Sequence, residues 1–183
     1  MAMSLMPIRI YGDPVLSRKA KPVDPVDPEL PGLVKSMLET MVAARGVGLA
    51  ANQVGLARAL VVINTTGGED PSADLVLLNP QILELQGEVE ELEGCLSLPD
   101  PASEADTPIQ AKTRRAAFCR AKAQGLDGKW FEVAGDGMLG KALQHEIDHL
   151  NGILFVDRVS LAQRALLSGK LKALKKRSQG NKA

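Results

Sequence analysis

The chain has 183 residues, 45% of them apolar, with 22 Lys and Arg against 22 Asp and Glu. That balance describes one globular domain and gives no net charge to draw DNA or another polyanion. No apolar run approaches the ~18 residues of a membrane span, and residues 1–6 lack the organisation of a signal peptide, so a cytoplasmic protein without membrane association is expected. Aromatic residues are only 3%, so Leu, Val, Ile, Ala and Met must build the core.

Residues 7–28 place Pro7, Pro14, Pro22, Pro25 and Pro28 between short apolar pieces, which predicts an irregular segment wrapped over the core. Over 29–44, Leu30, Leu33, Val34, Met37, Leu38, Met41 and Val42 recur at helical spacing, and Arg45-Gly46 ends the helix. The small-residue stretch Gly46-Val47-Gly48-Leu49-Ala50-Ala51-Asn52-Gln53-Val54-Gly55 reads as a turn with close backbone packing; it lacks the spacing and lysine of a phosphate loop. Leu60-Val61-Val62-Ile63 predicts a buried strand, 65–73 a polar loop, and 75–80 a second strand stopped by Pro80. Residues 82–85 and 88–91 predict a hairpin about Gly87, and 100–112 a surface loop. Residues 114–122 and 129–133 flank Asp127-Gly128, a hairpin signal.

From a cap at Asp136, the residues Met138, Leu139, Ala142, Leu143, Ile147 and Leu150 keep helical spacing as far as Asn151-Gly152. A last helix from about Ser160 carries Arg164, Lys170, Lys172, Lys175, Lys176 and Arg177, with Lys182 beyond it and no acid after Asp157. This is a local basic patch. No repeat or second domain is evident, so residues 1–183 are expected to form one domain whose part from about 160 is a basic helix and tail.

The only two histidines, His145 and His149, stand four apart in the predicted helix, with Glu146 directly after the first. Residues i and i+4 share one helix face, so both imidazoles can bind one metal ion. Glu146, about a third of a turn round, can reach a water at that ion without ligating it. Catalytic sites of this kind take three protein ligands. The third is expected from Cys95, because a short Gly94-Cys95 turn presents sulfur freely, whereas Cys119 sits in an apparent strand and reads as a small core residue. In a reducing compartment, metal binding or burial suits these two thiols better than a disulfide. The pattern alone also admits a metallopeptidase, a closed structural zinc clamp, or a coincidence on one helix face.

Three motifs in order, Gly46-Val47-Gly48-Leu49-Ala50-Ala51-Asn52-Gln53, Glu93-Gly94-Cys95-Leu96-Ser97 and Gln144-His145-Glu146-Ile147-Asp148-His149, resemble the signatures of bacterial peptide deformylases. Gly12-Asp13-Pro14-Val15-Leu16, Leu78-Asn79-Pro80 and Asn151-Gly152-Ile153-Leu154-Phe155 extend the likeness over about residues 7–160. The resemblance implies a single α+β domain. Mostly antiparallel sheets would pack around the central histidine-bearing helix, with a long helix in the N-terminal half and another at the C-terminal end. It further implies a hydrolase that removes the N-formyl group from the initiator formyl-methionine of nascent polypeptides, releasing formate.

By the same likeness, Cys95, His145 and His149 ligate one divalent metal, iron(II) natively in many bacterial members and replaceable by zinc, nickel or cobalt. Water activated on the metal attacks the formyl carbon, Glu146 takes and passes on its proton, and the side-chain amide of Gln53 with the backbone N–H of Leu96 stabilises the oxyanion. Gly48 suits close approach of an extended substrate, and Val47 and Leu49 are expected in the methionine pocket. Glu93, Asp148 and Arg115 are expected to orient the ligands. One region departs from the family. After Ser97-Leu98-Pro99 the family usually has an arginine within a few residues, but none occurs here before Arg114 and the loop is longer. That leaves open how residues downstream of the formyl-methionine are held. The basic C-terminal helix suggests contact with ribosomal RNA near the peptide exit.

Overall fold

In the computed structural model, which describes residues 5–103 and 107–180, the helical spacings produce α1 (Leu30–Ala43), α2 (Gly137–Leu150) and α3 (Leu161–Gly180). Residues 1–4 of the start and Lys182 of the tail lie outside the described residues. α1 buries Leu30, Val34, Met37 and Met41, the stripe that a 3.6-residue period aligns. It stops where Arg45 turns into the left-handed region at φ 56° and the Gly46 N–H returns to the Met41 carbonyl at 2.9 Å.

Seven strands follow in the chain: β1 (Gly48–Ala50), β2 (Leu60–Ile63), β3 (Leu75–Gln86), β4 (Val89–Pro99), β5 (Pro108–Arg115), β6 (Phe118–Gln124) and β7 (Trp130–Asp136). One antiparallel sheet runs β1-β2-β3-β6-β7, with β1 at its edge, and β4 pairs with β5 in a second. Every residue of β2 is buried because the sheet is covered on both faces. Leu49, Val62 and Leu78 share a core with α1, while Val61, Ile63 and Leu77 share another with Ala142, Leu143 and Leu150 of α2. Each such Leu or Ile contributes about 1.5–3 kcal/mol by leaving water. A third core joins Cys95, Leu98 and Ile109 of β4-β5 to Leu16, Phe155, Leu171 and Leu174, and so docks α3. α2 is consequently enclosed, and every residue from Ala142 to Leu150 is buried.

Several expectations change. β3 passes through Pro80 to Gln86, because Asn79 takes φ 52° and a register shift between Leu78 and Gln81 spares the proline a ladder bond. The segments around Gly87 form no hairpin; β3 pairs with β6 and β4 with β5, so Gly87 carries the chain from one sheet to the other. The loop expected over 100–112 is shorter, since β5 starts at Pro108 and buries Ile109, Ala111 and Thr113 in alternation. Arg114 and Arg115 therefore belong to β5 and not to β6. Cys95 lies in strand β4, not on a turn, at the point where the ladder to β5 skips from Gly94 to Pro99. Asp136 does stand at the cap of α2, yet its side chain makes no capping bond. Cys119 is a fully buried core residue whose thiol pKa burial pushes up to about 11.

Candidate active site

The buried face of α2 stacks His145 and His149 one turn apart, with their Nε2 atoms separated by 3.2 Å. Strand β4 delivers Cys95 Sγ to 3.2 Å from His149 Nε2. The three donor atoms lie within 4.8 Å of one another. Ligands ~2.1–2.3 Å from an ion at tetrahedral angles stand ~3.3–3.6 Å apart, so the measured separations fit a single ion. The donor chemistry fits too, because a thiolate with two imidazoles suits divalent first-row metals. His149 Nδ1 and Glu146 Oε2 are buried without a hydrogen-bond partner among the described residues.

A buried charge network holds the first histidine. His145 Nδ1 lies 2.5 Å from Glu93 Oε1, and a proton donated along that bond leaves the Nε2 lone pair facing Cys95 and His149. Glu93 also accepts from Arg115 Nη2 at 2.6 Å, Arg115 Nε at 2.9 Å and the Thr113 hydroxyl at 2.5 Å. Arg115 then reaches Asp148 on α2, which in turn is gripped by Arg158. Burial alone would raise the Glu93 pKa, but hydrogen bonds from His145 and Arg115 outweigh it and hold the carboxyl far below the usual range. Burial likewise opposes charge on Arg115 and His145. Glu93 overcomes it for the guanidinium, and Cys95 and Glu93 overcome it for the imidazole, so both pKa values are raised. His149 has no such carboxylate, and burial with the neighbouring His145 charge drives its pKa well down.

Glu146 is buried beside this centre, and desolvation pushes its pKa up to about 7. A Cβ on Gly48 would stand 2.5 Å from Glu146 Oε1, so only glycine allows the strand and the carboxylate to lie this close. The Gln53 side chain is oriented at both ends: its Oε1 accepts from the Ala50 N–H at 2.8 Å, and its Nε2 points to Ser97 Oγ at 3.3 Å and Cys95 Sγ at 3.5 Å. Leu96 follows Cys95 where β4 has left its ladder. A cavity of about 240 Å³ opens from these groups, with apolar walls from Val47, Leu92, Leu96, Pro108, Met138 and Ala142. Leu49 is not among them. Its side chain enters the core beneath α1, which covers that face of β1.

A family model described as polypeptide deformylase matches residues 5–165. The chain belongs to the peptide deformylase family. It is 43% identical over 174 residues to the peptide deformylase of Acidobacterium capsulatum, an alignment covering 95% of this chain and 98% of that one. The crystal structure of a peptide deformylase from Legionella pneumophila superposes with a TM-score of 0.83 at 39% identity, covering 96% of this chain and 98% of that one. That of the Thermus thermophilus enzyme gives 0.83 at 37%, covering 95% and 99%. The α+β architecture around a histidine-bearing helix is thus that of the deformylases.

Within this deformylase framework the structure brings together Cys95, His145, His149, Glu146, Gln53, Leu96, Gly48 and Val47, and links Glu93, Arg115 and Asp148 behind them. The sequence reading passed over Arg158, Thr113 and the walls Leu92, Pro108 and Met138. Arg158 has no local signal, since it meets Asp148 only after the chain turns back at Asn151-Gly152. Thr113 falls between the loop expected to 112 and the strand expected from 114, and only the alternation of β5 turns it towards Glu93. Leu92 and Met138 are 57% and 51% exposed, which marks a binding wall only once the fold shows them side by side.

Proposed function

We propose that this site hydrolyses the N-formyl group of the initiator formyl-methionine on nascent polypeptides, breaking the formyl carbon–nitrogen bond and yielding formate and a free amine. The observation that carries the reading is the convergence of Cys95, His145 and His149 with a buried Glu146 against Gly48 at the head of an apolar cavity. Cys95 Sγ and the Nε2 atoms of His145 and His149 would hold one divalent ion, iron(II) as in many bacterial deformylases or zinc, nickel or cobalt in its place, which would supply Lewis acidity for activating water. Glu146 receives the proton of the attacking water and delivers it to the departing amine; burial raises its pKa above that of an ordinary carboxyl, which favours both steps near neutral pH. The Gln53 amide and the Leu96 N–H donate to the oxyanion, about 3–4 kcal/mol for one well-placed donor.

The unpaired edge of β1, the end strand of its sheet, accepts the extended peptide as an added strand, with Gly48 permitting the approach. The unbranched methionine side chain fills the cavity bounded by Val47, Leu92, Leu96, Met138 and Ala142. Glu93, Arg115 and Asp148 keep His145 aimed at the metal. No helix among the described residues is long and apolar enough to cross a membrane. A cytoplasmic enzyme of nascent chains would meet the ribosome through the exposed Lys172, Lys175 and Lys176 of α3. Reversing those three charges to Glu should abolish salt-sensitive cosedimentation with ribosomes, and unchanged cosedimentation removes that contact from the account. For the chemistry, protein purified without oxygen is assayed for formate released from formyl-Met-Ala-Ser beside Glu146→Ala. Wild type is expected to be active, and the variant to keep its metal while losing at least 100-fold in rate. A metal-loaded wild type that releases no formate refutes the function, and a fully active Glu146→Ala refutes the assigned base.

A further inference from the structure

We propose that the substrate groove continues beyond the methionine cavity into a cation-lined subsite favouring an acidic side chain at the third or fourth residue of the peptide. This rests on the deformylase reading of the site. Arg45 and Leu96 at the mouth of the methionine cavity also bound a neighbouring cavity of about 560 Å³, whose walls include Ile8, Ile10, Pro99 and Arg177. The two spaces therefore share a threshold. The outer one has two arginines and no acid in its wall, and the only acids on the inner one are Glu93 and Glu146 of the catalytic centre.

The approach to β1 gives the spacing. Gly48 abuts Glu146, and Gly46 abuts Leu96, where a Cβ would come within 2.7 Å of Leu96 Cδ1. Arg45 follows directly. Arg45 stands three residues before Gly48, across the turn and bend that lead into β1, so it lies no more than ~10 Å outward. A peptide added along this edge with its formyl group at Glu146 advances ~3.3 Å per residue, so its third or fourth side chain comes within reach of the long Arg45 side chain.

Arg45 is exposed, and its guanidinium has no hydrogen-bond or ion-pair partner among the described residues. The other cation at the inner mouth is engaged: Lys141 is paired with Glu91 at 2.8 Å. The backbone of Arg45 is held in its left-handed turn, with its own N–H bonded to the Val42 carbonyl at 2.9 Å and that of Gly46 to Met41. A cation just past the end of α1 also suits the helix dipole, but a purely helix-stabilising charge would not sort substrates.

The test compares kcat/KM for formyl-Met-Ala-Xaa-Ser peptides with Glu, Gln or Lys at the variable position, and for a second set with that residue moved to the fourth position. The metal-loaded wild type should prefer Glu over Gln by about two- to fivefold at low salt in at least one set. The ratio should shrink towards one in 0.5 M salt. Arg45→Lys should keep the preference, and Arg45→Glu should reverse it in favour of Lys. Equal values for Glu and Gln in both sets overturn the inference alone while leaving deformylation standing, as does a preference that survives Arg45→Glu. No formate from any peptide overturns the functional reading, and this inference with it.

Discussion

Replacing Arg115 with methionine probes the network behind the metal centre most sharply. The guanidinium is 3% exposed and spans two buried carboxylates, meeting Glu93 at 2.6 and 2.9 Å and Asp148 at 2.5 Å. Removing one partner from a buried ion pair costs about 3–5 kcal/mol because the other charge stays buried. Here the lower figure applies, since Glu93 keeps His145 and Thr113, and Asp148 keeps Arg158. At ~2–4 °C per kcal/mol for a chain of this size, ~3 kcal/mol lowers Tm by ~6–12 °C. Glu93 would also hold His145 less firmly, so metal should be lost to a chelator about 10–100-fold more readily. Calorimetry of the metal-loaded protein and chelator competition measure the two effects. Arg158→Ala is the control, because that side chain is 40% exposed and its loss should cost about 1 kcal/mol or less. An Arg115→Met protein that melts within ~2 °C of wild type and keeps its metal equally well would refute the reasoning.

Three further outcomes follow from the geometry. Gly48→Ala drives a Cβ against the Glu146 carboxylate, whose flexible end can move, so kcat should fall about 100-fold while Tm barely changes; unaltered kcat would show that the carboxylate position is immaterial. Glu146 works as a base only when deprotonated, so kcat/KM should rise with pH through an acid limb centred at or below about 7, a bound cation pulling the carboxyl down from its metal-free value. A rate that instead falls between pH 5 and 7 contradicts that role. Cys119, with its thiol pushed up to about 11, should resist iodoacetamide at pH 8 in the folded protein and react once unfolded; rapid labelling of the native protein would mean that the site is open.

Where function depends on local periodicity, the sequence read well. The whole histidine inventory on one buried helix face, and a glutamate beside it, needed only a 3.6-residue repeat to interpret. Cys95, and not Cys119, is the thiol that meets the histidines, though the turn expected at Gly94 is not what presents it. Gly94 suggested a turn, whereas the chain is an extended strand that merely leaves its partner. Pairing between distant segments was harder. The apparent hairpin at Gly87 failed because each arm finds a better partner more than 20 residues on, β6 for β3 and β5 for β4. The first residues of β5, 108–112, look like loop because only Ile109 among them carries a strong hydrophobic signal, the other inward residues of the strand being Ala111, Thr113 and Arg115. Val47 and Leu49 looked equivalent two residues apart, yet α1 covers the second and leaves the first at the cavity. Arg158 and Arg45 gain meaning only from what the fold sets beside them.

Cobalt(II)-loaded protein offers the most direct test of the central claim, that Cys95, His145 and His149 hold the ion on which deformylation depends. One equivalent should bind, give a near-ultraviolet thiolate-to-cobalt band that disappears in Cys95→Ser, and release formate and free methionyl peptide from formyl-Met-Ala-Ser in equal amounts until a chelator stops both. An equivalent of cobalt bound without that band, or with the band but without formate, would contradict it.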